Sequence, residues 1–497
     1  MKYKNPIILG DYSDPDVIRY KDSFYLITSS FNHTPIIPVL KSKNLINWKL
    51  IRYVDDKLPF DKFNKVCHGE GVWAPSIRYH NGYFYIAVPF PDEGIWIYRT
   101  NDIENGKFEC WPLIEGRGFE DPCPIWTDDG KCYLVFAFVK SRIGFNSLLG
   151  LYEVTPDLKS TVSKDYKIIF DGHDTQPTIE GPKFYYRNDY YYILAPAGSV
   201  KTGWQTALRS KNIYGPYEQK IVMAQNDSKI NGPHQGALVD LSDGNDVFIH
   251  FQDAGAYGRI VHLEPVTWHN DWPIIGHAND LLLNGTPVDE YDYFIDIKSN
   301  YKLDSSDNFN NKLNNMWQTP ANKTKEFYSF DNGLKLKCLY DNEKTYNSLN
   351  IYPYTLLAKI PYKSFRIKTM INPLFKNDGD MAGLVLMGKE YSYIFIQLID
   401  NKYHLRIKKG FFNNESDELI YDIILDNPNI ILNIEYKYPN VYRFGYNNKY
   451  FKEKFIAYPG RWIGAKYGIF AQGKNNSDGY AIFKYFKVSE VNKNEGK

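Results

Sequence analysis

The stretch SDPDVIRYKDSFYLI, residues 13–27, contains an acidic turn and then two aromatic- and aliphatic-rich runs separated by a polar break. The same arrangement returns with WAPS from Trp73, DPCP from Asp121, EGPK from Glu180 and QGAL from Gln235. Aromatic and β-branched runs that are interrupted by turn residues predict a strand hairpin. The chain therefore contains five copies of one predicted hairpin.

The spacing of these copies indicates how they assemble. Successive repeats begin 59, 48, 59 and 55 residues apart, which is near the length of a four-stranded propeller blade. More polar segments follow the hairpins, such as KSKNLINWKLI from Lys41, and they suit the outer strands of a blade. Five such blades close into a ring around one axis, so we predict a five-bladed β-propeller over residues 1–290.

The first residue of each repeat has a geometric meaning in such a ring, because equivalent positions lie at one height and face one centre. Three of these positions carry carboxylates, namely Asp14, Asp121 and Glu180. Carboxylates that converge repel each other and are costly to desolvate, so their presence indicates an active site. An Asp before Pro is also common as a turn cap, but turns alone do not explain why all three occupy equivalent places.

A different strand pattern begins near Ser305, after a connecting segment at residues 288–302. Short apolar runs such as FYSFDNGLKLKCLY and MAGLVLMGKEYSYIFIQLI alternate there with turn signals, which is typical of a sandwich. Long helical periodicity is absent from the sequence. We therefore predict an all-β chain, a propeller followed by a β-sandwich of the jelly-roll kind at residues 303–491.

Composition excludes several classes of partner. The 59 Lys and Arg residues nearly balance the 58 Asp and Glu residues, which gives no electrostatic case for nucleic acid or an anionic membrane. The N-terminus lacks the apolar core of a secretory signal, and no run approaches about 18 apolar residues, so a cytoplasmic location is expected. The odd count of five cysteines favours reduced thiols. Oligomeric state is not indicated.

Five motifs in order, SDPD, EDPCP, IEGPK, GPHQG and YGRIVHLEPV, give the first 285 residues or so a specific resemblance. This region resembles glycoside hydrolase family 43, the five-bladed propellers that act as β-xylosidases, α-L-arabinofuranosidases and arabinanases. Residues from about 300 to 491 resemble the concanavalin-A-like sandwich of the xylosidase branch, through GDMAGLVLMGKEYSY and RWIGAKYGIFA. The resemblance implies that Asp14 is the general base, Asp121 the auxiliary aspartate and Glu180 the general acid.

Those roles match what the reaction requires. Hydrolysis of a glycosidic bond needs a proton for the leaving oxygen and a nucleophile at the anomeric carbon. Glu180 must stay protonated near neutral pH, which burial and a nearby anion favour; Asp121 is expected to be that anion, while ionised Asp14 activates water. In an inverting enzyme the two carboxyl groups lie about 6.5–9.5 Å apart, which leaves room for the water.

Further residues are candidates for the pocket. Trp73 is expected to be a platform for the sugar, although core packing is the alternative, and Phe31 has an equal claim to the pocket wall and to plain packing. Gln235 leads the fifth repeat, and Arg259 matches a family arginine that reaches the sugar. His234, within GPHQG, is expected on the axis beneath the pocket, where it touches an ordered water or a calcium ion whose other ligands are waters. No cofactor is expected to be required.

The sequence thus predicts an exo-acting, inverting hydrolase that removes terminal α-L-arabinofuranosyl or β-D-xylosyl units from hemicellulose-derived oligosaccharides, with a lean towards arabinose. A fructan-cleaving propeller hydrolase is one alternative, but that group carries Asn-Asp-Pro and Glu-Cys where this chain has Ser13-Asp14-Pro15 and Glu180-Gly181. A non-catalytic carbohydrate-binding propeller is another. Its mark would be the loss of a carboxylate, and none is lost.

Overall fold

The computed structural model describes residues 2–241, 243–279, 283–295, 297–412 and 414–491. Nearly every regular element in these ranges is a strand, which confirms the prediction of an all-β chain with a propeller and a sandwich. Within the described ranges, no helix is both long enough and apolar enough to span a bilayer.

Each blade contains four consecutive antiparallel strands, and two later strands extend the sheet of blade 4 to six. A short first strand, β1 (Lys2–Lys4), precedes the blades. The strands of blades 1 to 3 are β2 (Asp16–Tyr20), β3 (Ser23–Ile27), β4 (Ile36–Ser42), β5 (Trp48–Asp55), β6 (Ser76–His80), β7 (Tyr83–Phe90), β8 (Gly94–Thr100), β9 (Glu109–Glu115), β10 (Phe119–Trp126), β11 (Cys132–Phe138), β12 (Leu148–Val154) and β13 (Lys167–Asp171). Those of blades 4 and 5 are β14 (Lys183–Arg187), β15 (Tyr190–Ala197), β16 (Trp204–Ser210), β17 (Glu218–Met223), β18 (His234–Asp240), β19 (Asp246–Asp253), β20 (Arg259–His269) and β21 (Trp272–Ile275). A short helix α1 (Lys140–Ile143) and two 3₁₀ turns (Asp61–Asn64 and Gly255–Tyr257) lie in blade connections.

Local chemistry explains the inner hairpins. Between β6 and β7, Asn81 and Gly82 have φ angles of 46° and 85°, the two positive angles of a tight turn that matches strand twist. Asn188 and Asp189 do the same between β14 and β15, with φ angles of 50° and 60°. The polar breaks of the repeats are therefore the turns that the sequence predicted.

Apolar clusters between neighbouring blades hold the ring together. Five clusters fill the five blade-to-blade interfaces, including the one that joins the last blade to the first, where Val17 and Leu26 pack with Ala237 and Ile249. The N-terminal segment strengthens this closure because Ile8 pairs with Val261 of β20. Burial of apolar surface between blades is thus what fixes their inner strands around one axis.

The chain leaves the ring through short strands. Two of them, β22 (His277–Asn279) and β23 (Asn284–Thr286), extend the sheet of blade 4, and β24 (Glu290–Asp292) pairs with β1. Strands that pair with blade elements therefore continue to Asp292, and the first pairing with the sandwich occurs where Asp307 meets Phe486.

Two packed sheets form the sandwich. The first has the order β25-β26-β38-β28-β33-β34-β35, with β36 also on β34, and the second has the order β27-β37-β29-β30-β31-β32. Their bounds, with one short helix and the 3₁₀ turn Leu349–Ile351, are β25 (Tyr328–Phe330), β26 (Leu334–Lys337), α2 (Glu343–Asn347), β27 (Leu356–Lys359), β28 (Phe365–Leu374), β29 (Met381–Met387), β30 (Glu390–Ile399), β31 (Lys402–Phe411), β32 (Glu418–Ile424), β33 (Ile430–Lys437), β34 (Val441–Tyr446), β35 (Lys449–Tyr450), β36 (Phe455–Ile456), β37 (Lys466–Gln472) and β38 (Tyr480–Glu490). Alternate residues of β28 are buried, as expected for a strand with one face on a core.

The two domains share apolar and polar contacts. Tyr257 and Ile260 of blade 5 belong to the sandwich core, and Thr34 of blade 1 pairs with Thr319 through a 2.9 Å backbone hydrogen bond. Asn322 donates to the Leu58 carbonyl at 3.0 Å. The sandwich is therefore fixed against the propeller, where it can help to shape the pocket.

Candidate active site

The five leading residues of the repeats lie where the innermost strands begin. Asp14, Trp73 and Glu180 lie two or three residues before β2, β6 and β14. Asp121 and Gln235 lie within the first three residues of β10 and β18. Asp14 and Asp121 share an unusual backbone, with φ angles of 57° and 55°, a left-handed conformation that is uncommon outside glycine and found often at functional sites. Blades 1 and 3 therefore present their aspartates with the same backbone conformation.

Asp14 is a buried carboxylate with donors on both oxygens. Arg259 Nη1 lies 2.9 Å from Oδ1 and 3.2 Å from Oδ2, and Ser13 Oγ donates to Oδ2 at 2.8 Å. Ser29 Oγ also donates to Oδ2. These hydrogen bonds fix the orientation of the carboxylate, which suits a group that must be aimed at an attacking water.

Asp121 lies deeper and is tied to two other blades. Its Oδ2 accepts from the Gly181 amide at 2.7 Å and from Gln235 Nε2 at 2.9 Å. Burial, and then the neighbouring Glu180, raise the pKa of Asp121 to about 8, although Lys183 acts in the opposite direction. This raised pKa runs against the expectation that Asp121 is the ionised neighbour of the acid near neutral pH, because the cost of burying its charge exceeds the effect of its donors.

Glu180 is the most exposed of the three carboxylates, with a side chain 32% accessible. Its Oε1 lies 2.7 Å from Nε2 of His234, a residue that is only 1% exposed. The next residue, Gly181, has a φ angle of 59°, and a Cβ there would lie 2.5 Å from Gln235 Cγ. Glycine is therefore required at this turn, which holds Glu180 over His234 and carries the Gly181 amide to Asp121.

His234 is the first residue of β18. Its hydrogen-bond partner is the carboxylate of Glu180, the candidate acid. Nδ1 of His234 and Oε1 of Gln235 are buried without hydrogen-bond partners. Calcium prefers six to eight oxygen ligands, and the described residues contain no group of three His, Cys, Asp or Glu that could hold a metal. One histidine nitrogen and one amide oxygen fit an ordered water better than a protein-built calcium site.

Trp73 and Phe31 differ in exposure. Trp73 is partly exposed; its indole donates to the Gly69 carbonyl at 3.0 Å, and the Arg142 guanidinium lies 5.5 Å from its ring. Phe31 is 3% exposed and pairs its backbone with Val72. Phe31 is therefore packed inside the protein, which is one of the two roles expected for it. Contact of Phe31 or Trp73 with a sugar stays a prediction.

Sequence reasoning missed Glu120, and it missed Arg142, whose guanidinium lies over the Trp73 ring and opposes the rise in the pKa of Glu120. Glu120 is buried, and burial followed by Asp121, Glu180 and Asp14 raises its pKa well above the usual range. Strand alternation would point Glu120 and Asp121 to opposite faces, but the pairing of β10 with β11 shifts register between Glu120 and Cys123. Such a shift changes the direction in which side chains point, and the sequence does not display it. The only sequence signal for Glu120 was therefore its place as the first residue of EDPCP.

A second missed contribution comes from the sandwich. Trp462 is 49% exposed with a φ angle of 65°, and its ring meets Trp73 edge-on with centroids 6.5 Å apart. A Cβ on Gly69 would lie 2.7 Å from Arg461 and 3.1 Å from Trp462. The loop before Trp73 is therefore packed against the sandwich, beside the carboxylates.

Comparisons with known proteins agree with this geometry. The family described as glycosyl hydrolases family 43 matches residues 3–273, and the β-xylosidase C-terminal concanavalin A-like domain matches residues 306–489. A crystal structure of a xylan β-1,4-xylosidase from Bacillus halodurans superposes with a TM-score of 0.83 at 21% identity and covers 98% of this chain and 100% of that one, which supports the fold.

Two curated relatives match part of the chain. A putative β-xylosidase of Xylanibacter ruminicola is 38% identical over 323 residues, 64% of this chain and 58% of that protein. A non-reducing end α-L-arabinofuranosidase of Bacteroides ovatus is 34% identical over 295 residues, 55% of this chain and 53% of that protein. The matches thus span between half and three fifths of these relatives. Since the family match covers more than half of the sequence, this chain belongs to glycosyl hydrolases family 43.

Proposed function

We propose that this protein is an exo-acting, inverting glycoside hydrolase that removes terminal α-L-arabinofuranosyl or β-D-xylosyl units from hemicellulose-derived oligosaccharides. The observation that carries the proposal is the pair of differently held carboxyls: Asp14 is surrounded by cationic and hydroxyl donors, whereas Glu180 is held only by His234 among the described residues. A base and an acid need such different surroundings. Glycosidic hydrolysis by inversion needs one of each.

In the proposed reaction Asp14 accepts a proton from the water that attacks the anomeric carbon, and Glu180 gives a proton to the leaving oxygen. Arg259 and Ser13 hold the Asp14 carboxylate in one orientation before water attacks. Because the pKa of Asp121 is raised to about 8, the carboxyl cluster retains a proton near neutral pH. That proton belongs to the coupled group of carboxyls, in which Glu180 is the proposed donor to the leaving oxygen.

Exo action is supported by the packing on one side of the pocket. His68, in the loop before Trp73, lies 3.1 Å from the Asn350 carbonyl through Nε2 and stacks on Phe412 at 4.2 Å. Together with the Trp73–Trp462 contact, these contacts hold the loop before Trp73 against the sandwich, and we propose that this packed region forms a wall of the pocket. A fixed wall beyond the terminal sugar limits the site to chain ends.

Both pentoses are expected as substrates because their terminal rings can present similar hydroxyl positions to one pocket. The relatives are named for β-xylosidase and for α-L-arabinofuranosidase activity, which is consistent with this expectation. We retain a lean towards α-L-arabinofuranosides, with weaker β-D-xyloside activity. Assays with the two 4-nitrophenyl pentosides test it, and activity on the xyloside alone would contradict the lean.

Linear arabinan and xylo-oligosaccharides test the mode of action. Chromatography of early products should show only monosaccharide, and proton NMR should show first a product of inverted anomeric configuration. Mid-chain products would contradict the exo mode. Absence of turnover on every pentoside and pentosan would favour the non-catalytic binding alternative.

No cofactor forms part of the proposal, and we propose an ordered water at His234 Nδ1. Because the proposed occupant is a water and not a metal ion, chelators should leave kcat unchanged at 25 °C. A fall in kcat after EDTA treatment that calcium restores would instead support the axial cation.

A further inference from the structure

Asp11 of the N-terminal segment contacts the residue that holds the candidate base. The Asp11 side chain is 3% exposed, and its Oδ1 accepts a hydrogen bond from the Arg259 amide at 3.1 Å. Tyr12 binds the same residue, since its own amide donates to the Arg259 carbonyl at 3.0 Å. The backbone of Arg259 is therefore held at both its amide and its carbonyl, while its guanidinium lies 2.9 Å from Asp14.

The residue before Arg259 leaves room for this contact. Gly258 has a φ angle of 76°, and a Cβ there would lie only 2.3 Å from Asp11 Oδ1. The positive angle favours glycine, and the absence of a side chain lets the Asp11 carboxylate reach the next amide. The local backbone is thus shaped for the contact between Asp11 and Arg259.

Two lysines of the sandwich contact Asp11. Lys359 ends β27, Lys466 begins β37, and the two residues lie directly opposite each other in the pairing of these strands. Lys466 Nζ lies 3.9 Å from Asp11 Oδ2, with both side chains almost fully buried. Lys359 Nζ donates to the Asp11 carbonyl oxygen. The sandwich therefore contacts both the carboxylate and the backbone of Asp11.

These two lysines are a costly way to hold the sheet together. Like charges that lie directly opposite on neighbouring strands destabilise a sheet. Burial lowers the pKa of Lys466, and burial followed by Lys466 lowers the pKa of Lys359 to about 7, although Asp11 acts in the opposite direction on both. Apolar side chains of similar size often stabilise such a buried site better. The lysines therefore indicate a use that depends on their contact with Asp11.

We propose that Asp11 is a positioning residue that acts through Arg259 on the candidate base Asp14. Lys466 and Lys359 keep Asp11 in place, so the sandwich helps to aim the base at the attacking water. Aim matters because a misplacement of about 1 Å can cost about 100-fold in rate. The inference rests on the proposed function, since it assigns a role in that reaction.

Lys466→Met is the main test, because it removes the ammonium group and keeps an unbranched chain. An apolar group replaces a buried charge, so the variant should fold, which circular dichroism checks. On aryl pentosides its kcat should fall by about 3- to 10-fold with KM within about 2-fold, since the aim of the base matters in the transition state. The loss should be equal for good and poor leaving groups, because Glu180 still protonates the leaving oxygen.

Two results with Lys466→Met would overturn the proposal. Unchanged kcat with an altered Tm would show that the contact between Lys466 and Asp11 serves stability alone. A loss of kcat confined to poor leaving groups would show that the change acts on the acid and not on the base.

A double-mutant cycle with Asp11→Asn tests the route through Asp11. The carboxamide oxygen can still accept from the Arg259 amide, but the charge that faces Lys466 is lost. Asp11→Asn should lower kcat by about 10-fold, and adding Lys466→Met should lower it by less than a further 2-fold or so, because residues that share one contact are not additive. Losses that multiply would show separate actions and would overturn the route. Lys466→Met alone decides the proposal if Asp11→Asn does not fold.

Lys408→Met is the matched control. Lys408 is a half-buried lysine in β31 of the same sheet, and burial lowers its pKa as well. The variant should keep the kcat of the wild type. A fall as large as that of Lys466→Met would show that loss of any sandwich lysine slows the enzyme, and would overturn the assignment.

The wild type separates this inference from the proposed function. If it turns over no pentoside, the proposed function fails, and the role of Asp11 in that reaction fails with it. If the wild type is active and Lys466→Met has the same kcat, the role of Asp11 fails alone and the proposed function stands.

Discussion

The propeller and the sandwich are both all-β, yet their buried carboxylates have different neighbours. In the propeller, burial with the neighbouring Glu180 and Asp14 raises the pKa of Asp121 to about 8, and burial with Asp121, Glu180 and Asp14 raises the pKa of Glu120. In the sandwich, Asp417 has no carboxylate among the main influences on its pKa. The hydroxyls of Tyr391 and Tyr393 donate to it at 2.5 and 2.9 Å.

Topology explains this difference. Blades arranged around an axis bring equivalent residues from separate sheets to one centre, whereas two packed sheets keep their rims far apart and bury mostly apolar side chains between them. A carboxylate in the sandwich can therefore be satisfied locally by hydroxyls or amides. A carboxylate at the propeller axis meets other carboxylates, and a reaction can use the resulting shared proton.

The largest expected contrast comes from removing one carboxylate from each region. Asp14→Ala should lower kcat by about 1,000- to 10,000-fold on every aryl pentoside, because water activation is needed whatever group leaves. Asp417→Asn should leave kcat within about 2-fold and lower Tm instead, since a polar network is disturbed. Similar kinetic losses in both variants would break the comparison. Circular dichroism serves as the folding control.

The second contrast lies within the propeller. Glu180→Ala should slow substrates with poor leaving groups by about 100- to 10,000-fold but should slow activated nitrophenyl pentosides far less, because a good leaving group needs little protonation. A series of aryl pentosides of graded phenol acidity measures this dependence. Equal sensitivity to the leaving group in Glu180→Ala and Asp14→Ala would contradict the assignment of acid and base.

A smaller effect tests whether the sandwich takes part in the pocket. Trp462→Ala should raise KM by about 3- to 10-fold with little change in kcat, because it removes aromatic contact area at the site wall and no reacting group. Tyr458→Ala is a matched control, since Tyr458 is 42% exposed on the same segment. Unchanged KM in the Trp462 variant would confine the site to the propeller.

The smallest effect is a pH-dependent change in stability. The pKa of Asp121 is about 8 in the folded protein and near 3.9 in an unfolded chain, so between these values the folded state binds more protons and stability falls as pH rises. Asp121→Asn cannot ionise, yet its side-chain oxygen can still accept from Gly181 and Gln235. Its Tm should exceed that of the wild type by about 2–4 °C at pH 8 and by less at pH 5. An equal difference at both values would contradict the raised pKa.

The sequence by itself determined the all-β class, the five repeats and the three leading carboxylates. Those features are periodic, and a period of strands and turns is set by local residue chemistry that the chain displays directly. The same periodicity identified Trp73 and Gln235 as members of the set. Motif resemblance added His234 and Arg259, and the structure places Arg259 on Asp14.

Tertiary structure alone decided the contacts on which the chemistry depends. His234 reaches Glu180 because blades 4 and 5 meet at the axis, and Glu120 joins the cluster because a register shift re-aims it. Trp462 meets Trp73 across almost 400 residues, and the pKa of Asp121 follows from its depth. Each of these contacts depends on how one sheet packs against another. The spacing of the repeats predicts a ring of blades, but it does not show which side chains meet when the sheets pack.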